Sequence, residues 1–217
     1  MITDLFRHKA VIICGHFGAG KTNIAVNLAL EAAEEGNGVY IADLDTVNPY
    51  FRTADNADML EKAGVSVLLP PFANTNVDIP ALPQSFQLIF NSDKLSVTDV
   101  GGNEEGASVL RGFAENYRET GYDMYYVFNR YRPENTDTEI SLASFRAIEA
   151  ASGLRFSGII NNSNLGAETT KDIVANSIGD AADFASAAGV EIVMTAAFAQ
   201  NACENCTVIR DITKKLF

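Results

Sequence analysis

The sequence predicts an α/β fold: three layers, with a mostly parallel sheet of about seven strands between two layers of helices. Three observations carry this. Short β-branched runs alternate with longer helical patterns, the chain is long enough for one substantial core, and a glycine-rich segment joins the first run to the first helical pattern. Residues 1–217, 47% apolar and 20% charged, contain no repeat, linker or low-complexity tract and read as one domain.

The strands are expected near Ala10–Cys14, Val39–Asp43, Val65–Leu68, Leu95–Val100, Met124–Asn129, Phe156–Asn161 and Glu191–Thr195. Helical patterns lie between them at Lys21–Glu35, Glu104–Glu119, Asp137–Ala151 and Glu168–Ala187. From Cys206 the apolar residues Val208, Ile209, Ile212 and Leu216 fall near helical spacing, so a final turn or two of helix packed on the core is expected. Pro70–Ser92, with four prolines, reads as an irregular surface excursion.

Charge narrows the function. Sixteen basic against 28 acidic residues leave a net charge of −12, which repels phosphodiester backbones and anionic lipid and disfavours nucleic acid and membranes as partners. No apolar run is long enough to cross a bilayer, and Met1–Lys9 lacks a signal-peptide core. Three cysteines argue against a disulfide framework and for a reducing compartment, so a cytoplasmic location is expected.

The most specific signal is Gly15-His16-Phe17-Gly18-Ala19-Gly20-Lys21-Thr22, an ungapped match to G-x-x-x-x-G-K-[ST] placed directly after a strand and before an amphipathic helix. Glycines let successive main-chain N–H groups converge on phosphate oxygens, and the helix presents its positive end to the same anion. Lys21 would reach the β- and γ-phosphates and Thr22 would hold Mg²⁺, with Asn23 next on the first helical turn. The chain is therefore read as a single P-loop nucleotide-binding domain of the P-loop NTPase fold.

Two acidic loops follow strands that should end on the same side as the phosphate loop: Asp43-Leu44-Asp45 and Asp99-Val100-Gly101-Gly102. A strand-end carboxylate can hold Mg²⁺ through water, and a second can orient the attacking water. Asp99 is assigned to the metal, Asp43 to a second shell around it, and Asp45 to positioning or activating water. Gly101 and Gly102 suit a main chain that senses the γ-phosphate.

These three segments together resemble the MinD/ParA group of P-loop ATPases, and the resemblance in element order covers nearly the whole chain. It implies an ATP-dependent switch that forms a homodimer around two nucleotides and then recruits a protein partner, with ATP and Mg²⁺ as cofactors. In that family the loop reads G-K-G-G-x-G-K-[ST], and its first lysine reaches the partner subunit's phosphate. Here His16 holds that position and Phe17 replaces the following glycine. An imidazole is shorter and carries less charge than lysine at neutral pH, so activation across an interface by that route is weakened. Phe17, and the loop residues Tyr50, Phe51 and Arg52, are residue types suited to a contact surface.

No N-K-x-D element for guanine is present; Asn161-Asn162-Ser163-Asn164 occupies its place. By resemblance Asn161 is the expected reader of adenine, with Asn162 or the Asn201 region as alternatives. Arg130 and Arg132, beside Tyr131, read as a surface loop. Two further functions remain open: an ATP-dependent amide ligase or kinase related to dethiobiotin synthetase or cobyrinic acid a,c-diamide synthase, and a metal or iron–sulfur cluster carrier using Cys203 and Cys206 of two subunits.

Overall fold

The computed structural model describes residues 1–45, 53–69 and 84–212. Its strands are β1 (Ala10–Gly15), β2 (Val39–Leu44), β3 (Val65–Leu68), β4 (Leu95–Val100), β5 (Tyr122–Phe128), β6 (Gly158–Asn161), β7 (Ile192–Phe198) and β8 (Thr207–Ile209). The helices are α1 (Lys21–Glu34), α2 (Ala57–Lys62), α3 (Glu104–Ser108), α4 (Ala114–Thr120), α5 (Thr138–Ser152) and α6 (Lys171–Ala188). All strands lie parallel in one sheet, in the order β3-β2-β4-β1-β5-β6-β7-β8. The seven expected strands are present, and β8 is an eighth.

β1 is apolar throughout because both faces of the sheet are covered. Val11 and Ile13 point to one side, into a core shared with Ile24 and Leu28 of α1; Ile12 and Cys14 point to the other, toward Phe145 and Ile148 of α5 and Phe184 of α6. Burial of these side chains, each contributing on the order of 1.5–3 kcal/mol, holds the three layers together. Asp137 starts α5 by accepting from the Glu139 and Ile140 N–H groups, and Thr170 caps α6 through Ile173 N–H.

The order of strands matters for the site. β1 lies between β4 and β5, so chain segments leaving β1, β2 and β4 share one side of the central strand while that leaving β5 lies on the other. Such a reversal of strand order opens a crevice beyond the carboxyl ends of the strands.

Three expectations need correction. The stretch Glu104–Glu119 is not one helix: tighter winding at Val109–Phe113, with Gly112 inside it, separates α3 from α4. Phe113 is thereby set against Phe86, with ring centres 4.7 Å apart, and Tyr117 against Phe90 at 4.9 Å. α2 has no counterpart among the expected helices. The final helix is also absent over Thr207–Ile209, which pair with β7 instead. Three β-branched residues in succession favour a strand, and buried amides of α1 fix the chain just beyond it. Asn27 accepts from Arg210 N–H at 2.8 Å and donates to Arg210 C=O at 2.9 Å, while Asn23 accepts from Ile212 N–H at 3.0 Å. Lys214, Lys215 and Leu216 lie outside the described residues, as does most of the Pro70–Ser92 excursion, whose end forms a 3-10 helix at Gln84–Ile89.

Cys203 and Cys206 are joined as a disulfide in the β7–β8 connection. One bridge across three residues is not a framework, and sulfurs bonded to each other cannot ligate a metal. Cys14 is free, buried in β1, with burial holding its thiol protonated well above the usual range. Among the described residues no helix is long and apolar enough to cross a membrane.

Candidate nucleotide site

The loop from Gly15 to Thr22 bends sharply between β1 and α1. Gly18 (φ +71°) and Gly20 (φ +91°) adopt left-handed backbone that other residues rarely tolerate, and Gly20 also lies against the Asn162 side-chain amide. α1 then opens with Lys21, so its unpaired N–H groups and positive dipole end face the crevice.

A cleft of about 390 Å³ opens there, lined by Phe17, Gly18, Gly20, Lys21, Thr22 and Asn23 from the loop and the start of α1, by Asp45, Arg132, Asn162 and Asn164 from three other loops, and by Phe198 at the end of β7. Gly15, His16 and Ala19 contribute to the loop without lining the cleft. Phe17 stands at its lip, 59% exposed. A cleft of about 530 Å³ at the end of α5 is larger. There, however, Arg111 is committed to the Ala150 and Ala151 carbonyls, and Arg155 to Glu149 at 2.7 Å.

Lys21 is buried, with its ammonium donating to the His16 carbonyl at 3.2 Å. Burial lowers its pKa, and the nearby Asp99 and Asp45 charges oppose that. An ammonium held so, with one carbonyl partner, is prepared for an anion. The Thr22 hydroxyl donates to Asp99 Oδ2 at 2.7 Å and the Thr53 hydroxyl to the same oxygen at 3.0 Å. Asp99 Oδ1 is buried with no hydrogen-bond partner among the described residues. Burial raises the pKa of Asp99, and Lys21 draws it back down. An orphaned carboxylate oxygen beside a threonine hydroxyl suits a Mg²⁺ ion that takes few protein ligands and fills the rest of its shell with water and phosphate. No cluster of three or more histidine, cysteine or carboxylate groups fit for a metal occurs among the described residues.

Asp43 pairs in register with Asp99 across β2 and β4. Its Oδ1 accepts from Asp45 N–H at 3.0 Å and its Oδ2 from Ala54 N–H at 3.2 Å, so it shapes the loop after β2. Burial first, and then Asp99, raise its pKa. Asp45 faces the cleft. A Cβ placed on Gly101 would lie 3.2 Å from Asp45 Oδ1, and one on Gly102 would lie 2.8 Å from the Phe17 main chain and 3.2 Å from Lys21 Nζ. The loop after β4 is therefore in direct contact with the phosphate loop.

The structure thus gathers Lys21, Thr22, Asp45, Asp99, Gly101 and Gly102 at one crevice, with Asp43 behind them. Asn161 is not there. It is fully buried, donates to Ser177 Oγ at 3.0 Å and accepts from Ser163 Oγ at 2.7 Å, so its amide is used inside the fold. The amides at the cleft are Asn162, which donates to the Ala19 carbonyl at 2.8 Å, and Asn164. The side chain of Asn23 likewise serves the chain just beyond β8, through the Arg210 carbonyl and Ile212 N–H. Arg132, read from sequence as surface, reaches the phosphate loop, its Nε donating to the Gly18 carbonyl at 2.8 Å. Thr53 and Phe198 had no sequence signal. Tyr50, Phe51 and Arg52 lie outside the described residues.

No protein-family model matches the chain, and no curated protein matches it in sequence. Solved structures do match its fold. Cell division protein FtsY from Thermotoga maritima superposes with a TM-score of 0.59 at 17% identity, covering 91% of this chain and 68% of that one. The 54 kDa protein of the signal recognition particle from Aeropyrum pernix, in complex with GDP, gives 0.58 at 16% identity over 86% of this chain, which spans 40% of that protein. The signal recognition particle receptor FtsY from Elizabethkingia anophelis, also with GDP, gives 0.56 at 14% identity over 96% of this chain and 67% of that one. At these identities the likeness establishes the fold alone: an α/β domain with one parallel sheet flanked by helices.

Proposed function

We propose that the chain is a Mg²⁺-dependent ATP-binding and ATP-hydrolysing switch of the MinD/ParA-like type, which pairs with a second copy in the ATP state and then recruits a protein partner. The observation that carries this reading is the convergence of Lys21, Thr22, Asp99 and Asp45 on the mouth of the loop that ends at Gly20. Main-chain N–H groups of the loop and the Lys21 ammonium would offset the charge of the β- and γ-phosphates. Thr22 and Asp99 would hold Mg²⁺, which supplies charge neutralisation on the phosphate oxygens when bound. Asp45, the lining carboxylate nearest Gly101, would orient a water and accept its proton, while Gly101 and Gly102 register the γ-phosphate through their main chain. Exposed Phe17, beside the triphosphate position, supports a contact surface that depends on nucleotide state.

Base choice follows from the other end of the cleft. Asn162 and Asn164 line it, and its described lining has no carboxylate except Asp45. Guanine presents two adjacent donors that a carboxylate pairs best, whereas an amide both donates to and accepts from an adenine edge. A guanine reading is the second possibility, favoured by the GDP held by two of the fold neighbours. Titration of ADP and GDP into the Mg²⁺-loaded protein separates the two, with ADP the tighter ligand here. Lys21→Ala should abolish binding of both. Sedimentation with and without ATP and Mg²⁺ tests the switch, and an unchanged coefficient on saturation with ATP refutes dimer formation.

A further inference from the structure

We infer that Arg132 is a nucleotide-contacting residue, its guanidinium supplying from the same chain a second cation for the α- and β-phosphates. The inference rests on the nucleotide-binding reading above and adds a group to that site. Arg132 lies in the segment that follows β5, lines the cleft, and donates from Nε to the Gly18 carbonyl at 2.8 Å. A Cβ on Gly18 would come within 3.1 Å of its guanidinium carbon, so the side chain is laid directly on the phosphate loop.

Arg132 differs in its partners from four of the other arginines. Arg118, Arg130, Arg155 and Arg210 each pair with a carboxylate. No carboxylate pairs with Arg132 among the described residues, and the terminal nitrogens of its fork are left for a ligand. An exposed guanidinium laid on a loop suited to anions, with no carboxylate among the described residues to neutralise it, is placed to meet a phosphate. The electrostatics of the crevice point the same way. Asp43, Asp45 and Asp99 crowd the β2 and β4 side, and among the described residues Lys21 is the one cation set among them.

The segment is also rigid enough to aim the side chain. Asn129, fully buried, accepts from Tyr131 N–H at 3.1 Å and from Asn164 N–H at 3.2 Å through one oxygen. Its amide donates to the Asn164 carbonyl at 3.2 Å, and its own carbonyl accepts from the Asn135 amide at 3.1 Å. Asn135 N–H in turn donates to the Arg132 carbonyl at 2.8 Å. One asparagine thus ties the Arg132 loop to the Asn162–Asn164 loop. Because β5 and β4 flank β1 on opposite sides, Arg132 approaches the nucleotide from the side opposite Asp99, Gly101 and Gly102. That geometry assigns it to the α- and β-phosphates and not to the γ-phosphate, so it is a ground-state contact.

Affinities for ADP, AMP and adenosine, measured with Mg²⁺ by competition against a fluorescent ADP analogue, test this in four proteins: wild type, Lys21→Ala, Arg132→Gln and Arg132→Lys. The expected result for Arg132→Gln is ADP and AMP affinity both lowered, that for ADP by about tenfold or more. Adenosine affinity and the melting temperature without ligand should stay unchanged, and Arg132→Lys should recover part of the loss. An ADP affinity within about twofold of wild type overturns the inference. An equal loss for adenosine and ADP also overturns it, because Arg132 would then prop the loop or stack on the base. Should Arg132→Gln not fold, the charge-retaining Arg132→Lys carries the test, and wild-type affinity with lowered stability in it would count against a phosphate contact. Wild type that binds no nucleotide removes the reading beneath the inference, and the inference with it; Lys21→Ala marks that baseline.

Discussion

Replacing Gly102 by alanine is the sharpest test of how the loops meet. The added methyl would sit 2.8 Å from the Phe17 N and Cα atoms and 3.2 Å from Lys21 Nζ. The first contact is with main chain at the head of the phosphate loop, which cannot swing aside as a flexible side chain can. The loop after β4 or the phosphate loop must therefore move by several tenths of an ångström, and overpacking of this kind costs about 1–3 kcal/mol. If the strain falls on the nucleotide-binding geometry, Mg·ATP affinity drops by about fivefold to 150-fold. Gly112→Ala is the matched control, since a Cβ there meets nothing within 4 Å and the main chain has an ordinary φ. Calorimetric titration and thermal melting of both variants give the answer. Wild-type affinity and melting temperature in Gly102→Ala would refute the close packing of the two loops, and a comparable loss in Gly112→Ala would mean that the method reads general destabilisation.

Two further predictions bear on the acidic groups. Asp45→Ala should keep Mg·ATP affinity while hydrolysis falls by about a hundredfold or more, so that the nucleotide-bound form accumulates; undiminished turnover removes Asp45 from its role. Asp99 has its pKa raised from 3.8 to about 6 by burial, so the folded protein holds a proton that the unfolded chain releases. Its contribution to ligand-free stability is therefore full below about pH 4 and is lost as pH rises through about 6. Mg²⁺ competes with that proton, so the gain in nucleotide affinity on adding Mg²⁺ should grow between pH 5 and pH 7, by about tenfold per unit at most, and level off above. A gain independent of pH in the wild type, and unaltered in Asp99→Asn, would exclude this carboxylate from the metal.

The sequence made most of this visible where the physics is local. Gly18, Gly20 and Lys21 are legible because a phosphate-binding turn needs positive φ and an ammonium at fixed spacing, all within eight residues. Asp99 and Asp45 are legible because β-branched runs announce the strands they terminate, and parallel strands put those ends together. Asn161 shows the limit of the same logic: the amide cluster reaches the cleft through Asn162 and Asn164, but a strand's side chains alternate, and Asn161 faces Ser177 of α6 while Asn162 turns to the loop.

What the sequence hides is carried by contacts between distant residues. β8 reads equally as a helix by apolar spacing, and the decision is made by Asn23 and Asn27, more than 180 residues earlier, offering amides to the Arg210 main chain. Arg132 meets Gly18 across 114 residues of sequence, and no periodicity or motif could link them. The two cases share a cause. Buried polar groups must find partners, and near a ligand-binding crevice those partners come from whichever loops the sheet order brings there. In a parallel sheet that order depends on pairing, not on succession, so the third and fourth strands in sequence sit on one side of β1 and the fifth on the other. A site built at that reversal draws its phosphate loop from one stretch of chain and its charges from both flanks. The first of these can be read residue by residue; the second becomes readable only once the strand order is known.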